Sequence, residues 1–147
     1  MSSTSAQMAE LKQLWFTQAE ADCEQISQLI ETLAKSPHAG DETCENLYRI
    51  FHDMQGQAGV FGYPLLATLG SKFCRFWRGV KVKEAPTPED INVAQAHLLA
   101  LRFILEKRLE GCGGAAGQTI MEKLDAIVAE TAPQPFSPSV GTCPRAS

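Results

Sequence analysis

The sequence predicts an all-α fold: an antiparallel four-helix bundle with an N-terminal helical extension and a short C-terminal helix. Three observations carry that prediction. Apolar residues recur at three- and four-residue steps along most of the chain. No stretch alternates apolar and polar residues between turn clusters, as a half-buried strand would. Breaks rich in proline and glycine separate the periodic runs by short connections, which favours antiparallel neighbours.

The first periodic segment runs from about Ala6 to Lys35, with Leu11, Leu14, Trp15, Ile26, Leu29, Ile30 and Leu33 in step. Its middle, Gln18 to Cys23, is less apolar, so two helices end to end fit as well as one. Ser36-Pro37-His38-Ala39-Gly40 breaks the run. Asp41 then reads as the N-cap of a second helix carrying Leu47, Ile50, Phe51, Met54, Ala58 and Phe61. Gly62-Tyr63-Pro64 bends the chain, and Pro64 suits the first turn of a third helix. That helix holds Leu65, Leu66, Leu69, Phe73, Phe76 and Trp77 and is expected to end near Gly79. After VKVKEAPTPED, Thr87 caps and Pro88 opens a fourth helix, with Asp90 completing a capping box. Its apolar positions are Ala94, Leu98, Leu101, Ile104, Leu105 and Leu109. GCGGAAG, residues 111–117, reads as a flexible joint before a short amphipathic segment from Thr119 to Val128. The organisation expected is a bundle over 6–110, a joint and short helix over 111–131, and a disordered proline- and serine-rich tail over 132–147.

Composition narrows the function. With 147 residues, 44% apolar and 20% charged, the chain suits one globular domain. A net charge of −4 argues against generic nucleic-acid binding, which works by releasing counterions to basic residues. No apolar run approaches the ~20 residues that span a bilayer, and MSSTSAQMAELKQLW lacks a secretory layout. Five scattered cysteines, Cys23, Cys44, Cys74, Cys112 and Cys143, form no CxxC, so neither a zinc site nor a disulfide framework is indicated and most read as small core residues in a reducing cytoplasm.

The second helix has an odd outer face. On a helical wheel its apolar positions fill an arc of roughly 100°, and His52 lies about 150° from the centre of that arc. Gln55, Gly56 and Gly59 follow at three, four and seven residues, and Arg49 precedes by three, so all share the face of His52. Glycine in a helix costs roughly 1 kcal/mol against alanine. On a solvated face packing does not demand it. The glycines make sense if another protein must bring its backbone or a phosphate close to the imidazole.

The run His52-Asp53-Met54-Gln55-Gly56-Gln57-Ala58-Gly59-Val60-Phe61-Gly62 resembles the signature of histidine-containing phosphotransfer (HPt) domains. The likeness covers roughly residues 11–110. It implies that His52 is the phosphorylated histidine, that Gly56 clears the approach, and that Leu65 to Trp77 form the returning helix. Such a domain is a carrier and not an enzyme. It takes a phosphoryl group from an aspartate of one receiver domain, as in a hybrid histidine kinase, and passes it to a response regulator. It has no cofactor of its own, Mg²⁺ being expected on the receiver, and it works in the cytoplasm as a monomer. No GxxxxGK[ST] loop for ATP occurs. One position departs: the family usually has lysine where this chain has Gln55, which can donate a hydrogen bond but brings no charge. Arg49, or Lys72, Arg75 and Arg78 on the next helix, are the candidates to supply that charge and to dock the partner.

Other readings stand beside this one. The same fold can bind a receiver without carrying phosphate, and Gln55 is the best support for that. The dimerisation helices of a histidine kinase also open on His-Asp, but they carry a proline a few residues on, whereas the first here is Pro64. Asp53 reads as a solvated neighbour, since adjacent helical residues do not face each other; the alternatives are a group that orients the imidazole or acts as a base. His97, between Ala94 and Leu101, reads as a buried structural histidine, and His38 as a loop residue. Phe73, Phe76 and Trp77 read as core; Lys72, Arg75 and Arg78 also fit a plain solvated face.

Overall fold

The computed structural model describes residues 2–36, 41–83, 85–111 and 113–131. Among them every regular element is helical: α1 (Ser2–Lys35), α2 (Asp41–Ala58), α3 (Pro64–Lys81), α4 (Pro88–Glu106) and α5 (Gly114–Thr131). His38, Cys112, Cys143 and the tail read as disordered lie outside the described residues. Helix α2 packs on α1 and α3, α4 packs on α1 and α3, and α5 lies on α4 and touches α3. The result is a helical bundle around one core. Among the described residues, no helix is long and apolar enough to cross a membrane.

Helix α1 is continuous through Gln18–Cys23. Ala19 and Cys23 are buried there, so the stripe continues in small residues where large ones stop. At the start of α1 the expected apolar set splits: Trp15 turns into the core, joined by Phe16, which lies outside that set, whereas Leu11 and Leu14 face solvent. Asp41, expected as an N-cap, is the first residue of α2 itself, where its charge still favours the helix dipole.

The end of α2 differs from the wheel drawn on the sequence. The regular helix stops at Ala58, so Gly59 lies in the tightened turn that follows. Tyr63 N–H donates to Ala58 O at 2.9 Å and Gly62 N–H to Gly59 O at 3.2 Å, the two bonds of a Schellman ending. Gly62 takes φ +90°, a conformation that disfavours any side chain. Pro64 then opens α3, which runs two residues past Gly79.

The core is aromatic between α2 and α3. Phe51 and Phe73 stack at 3.9 Å, Phe73 and Trp77 at 5.2 Å, and Trp77 Nε1–H donates to Cys44 O at 3.1 Å. Phe76 is only partly buried. Gly70 makes the close approach possible, because a Cβ there would lie 2.8 Å from Gln55 Cβ and 3.1 Å from Phe51 O. Cys23, Cys44 and Cys74 are buried free thiols, and burial pushes Cys23 and Cys74 up to about 11. They are poor nucleophiles for that reason.

Thr87 and Asp90 form the capping box of α4 with both bonds in place, 3.1 Å from Asp90 N–H to Thr87 Oγ1 and 2.9 Å from Thr87 N–H to Asp90 Oδ2. Lys83 holds the same buried carboxylate at 2.8 Å. Leu109 falls beyond the end of α4. The glycine run after it is tightly placed: α5 begins at Gly114, inside the segment read as a joint, and a Cβ on Gly113 would meet Leu65 Cδ2 at 2.7 Å. Gly111 N–H donates to Gly62 O at 3.0 Å and Leu65 N–H donates to Gly111 O at 3.2 Å. This two-bond clasp ties the α2–α3 turn to the segment between α4 and α5.

Candidate functional site

His52 stands on the outer face of α2 with its side chain 58% exposed. The stripe Leu47, Phe51, Met54 and Ala58 buries the opposite face, so core packing itself turns the imidazole outward. Asp53 is exposed beside it, with Oδ1 3.9 Å from His52 Nδ1, an electrostatic contact longer than a hydrogen bond. Across on α1, burial raises the Asp22 carboxyl, a hydrogen bond from Gln18 opposes that rise, and the charge of Asp53 adds to it.

The glycines of the site differ from the one beneath it. A Cβ on Gly56 or Gly59 would meet nothing within 4 Å, whereas the one on Gly70 would collide. Gly70 is there for packing. Gly56 and Gly59 are not needed for packing, although Gly59 lies in the turn and not on the helix. Gln55 is half-buried over Gly70 and borders an open cleft of about 310 Å³ lined also by Ala67, Thr68, Ser71, Lys72 and Arg75.

The basic residues around this face are mostly engaged. Arg49 donates to Asn46 Oδ1 at 3.1 Å and lies 4.0 Å from Glu45. Lys81 pairs with Glu45 at 2.8 Å, and its ammonium sits 3.8 Å from the centroid of the Tyr48 ring. Arg78 Nε–H donates to the Tyr48 hydroxyl at 3.3 Å. Lys72 turns to α5, where it meets Asp125 at 2.6 Å. Arg75 is exposed on the edge of the cleft and has no ion pair or hydrogen bond among the described residues. The structure thus gathers Gln55, Lys72 and Arg75 around one cleft, with His52 one turn along α2 from Gln55. It commits Arg49 and Lys72 to neighbouring side chains.

His97 is fully buried, as its apolar neighbours suggest. Its Nδ1–H donates to Val93 O at 2.8 Å, Phe73 meets the ring edge-on at 5.5 Å, and Nε2 has no partner among the described residues. Burial holds its proton affinity below the usual imidazole range; the Val93 bond opposes that shift, Lys72 adds to it and Asp125 opposes it.

Three participants escape a reading of the sequence. Tyr48 stacks on His52 with centroids 5.8 Å apart and ring planes at 21°. Its i, i+4 spacing from the histidine is a signal that was there to be used. Gly70 is a lone glycine in an apolar stripe. Asp125 carries no local signal at all. No family model, curated protein or solved structure matches this chain.

Proposed function

We propose that this protein is a phosphohistidine carrier of the HPt kind, receiving a phosphoryl group on His52 from a receiver-domain aspartate and passing it to another. The observation that supports it most is an exposed imidazole on a packed helix, one turn from Gly56, a glycine that the core does not require. An antiparallel four-helix arrangement of α1–α4 belongs to the same reading. Cross-helix contacts favour it: Trp15 meets Phe61 while Asp22 feels Asp53, and Glu24 meets Arg102 while Lys12 meets Glu110.

The chemistry is an in-line exchange. An unprotonated ring nitrogen of His52 supplies the lone pair that attacks phosphorus. A phosphorus–nitrogen bond forms as the phosphorus–oxygen bond to the partner's aspartate breaks, and the carboxylate leaves with the electron pair. The second transfer reverses these steps on another receiver. The receiver brings Mg²⁺ and most of the charge stabilisation. On this side Arg75 is a cation with no ion pair or hydrogen bond among the described residues. Arg78 reaches Tyr48 across the α2–α3 edge, and one turn along the same edge brings Arg75 level with His52. Leu14 and Val60, sequence neighbours of the stacked pair Trp15 and Phe61, are each 66% exposed and offer an apolar margin for docking. Such a carrier works as a cytoplasmic monomer.

The test is transfer of label from a phosphorylated receiver domain in the presence of Mg²⁺. Acid-labile label appears on the wild type and vanishes in His52→Gln. Absence of label from every competent receiver overturns the carrier reading. Retained binding would then favour a docking module, the role that the uncharged, half-buried Gln55 suits best.

A further inference from the structure

We infer that Tyr48 is a positioning residue, fixing the orientation of the His52 imidazole through a clamp built from α3. The role of the clamp rests on the carrier reading; its existence rests on the ring and side-chain geometry of α2 and α3 alone. Tyr48 precedes His52 by one helical turn, and the rings lie 5.8 Å apart at 21°, an offset stack. The tyrosine is itself held on two further sides. Lys81 places its ammonium 3.8 Å from the ring centroid, within cation–π range. Arg78 donates to the hydroxyl at 3.3 Å.

The order along α2 gives the clamp a direction. Lys81 is tied at 2.8 Å to Glu45, three residues before Tyr48, so it lies on the N-terminal side of the ring. His52 follows four residues after, on the other side. The imidazole therefore rests on a ring that cannot move away from it without breaking the Lys81 and Arg78 contacts. An exposed histidine on a bare helix samples several rotamers. A stacked one presents its outward nitrogen in a narrow range of directions, which is what in-line attack needs.

The experiment compares Tyr48→Leu and Tyr48→Phe with the wild type, after circular dichroism has established that both fold. Two measurements are made on the full chain: the chemical shifts of the His52 ring protons, and the rate of His52 labelling by phosphoramidate, a donor too small to need docking. Tyr48→Leu should lose the ring-current displacement of the His52 protons and label about five- to tenfold more slowly. Tyr48→Phe, which keeps the stack and loses only the Arg78 bond, should restore both. Unchanged His52 shifts in Tyr48→Leu, or a wild-type labelling rate, overturn the inference. A wild type that takes no label from phosphoramidate or receiver counts against the carrier reading instead; lost ring-current shifts in Tyr48→Leu would still support the clamp.

Discussion

Replacing Gly56 by leucine separates access to His52 from the stability of the helix that carries it. Leucine is favoured over glycine inside a helix by roughly 0.8 kcal/mol. Nothing lies within 4 Å of a Cβ at this position, so no clash offsets the gain. The new side chain stays in solvent, so burial adds little. A gain of about 0.8 kcal/mol corresponds to a rise of roughly 2–5 °C in melting temperature for a domain of this size. Access changes in the opposite sense. The leucine stands one turn from His52 on the same face, and holding the reacting atoms about 1 Å from their proper place costs on the order of 100-fold in rate. The assay measures label transfer to the variant from a phosphorylated receiver and, separately, from phosphoramidate. Receiver-dependent transfer should fall by about 100-fold while phosphoramidate labelling persists and the melting temperature rises. Wild-type transfer from the receiver would refute the clearance argument. A lowered melting temperature would refute the premise that the core has no use for Gly56.

Gly70→Ala should do the reverse. Its methyl group would press on Gln55 Cβ and Phe51 O, and the overpacking should cost about 1–3 kcal/mol, read as a fall in the urea midpoint. His97 should make stability depend on pH in a defined window. Burial keeps its folded-state proton affinity below the ordinary 6.5, so the unfolded chain binds the proton first as pH falls. Its stabilising contribution is complete above pH 6.5 and is lost as the pH drops from there toward the folded value; His97→Leu should flatten the urea midpoint across that range.

The helices were legible because large apolar residues keep step with the helical turn, and two of their starts are written in proline and in the Thr87–Asp90 box. Small residues hid the rest. Ala19 and Cys23 fill the core of α1 without looking apolar, so one helix could pass for two. Gly59 looks helical on a wheel, which carries no information about a Schellman ending fixed three residues later by Gly62. The outward face of His52 followed from periodicity alone. Which cations are free did not, because Asp125 takes Lys72 from 53 residues away, and register between distant helices is set by packing. The exposure of Leu11 and Leu14 has the same origin: periodicity places them on α1 but does not say where the neighbouring helices end.

The clasp between Gly62, Leu65 and Gly111 has a consequence for how such a surface can diversify. Peptide groups make this tie, so the shape of that end of the molecule rests on the backbone and on the glycines at 62 and 113, and not on the exposed side chains around them. Gln57 and Val60 can be exchanged to suit a new associate while the scaffold beneath keeps its form. Recognition and architecture are thereby adjustable one at a time.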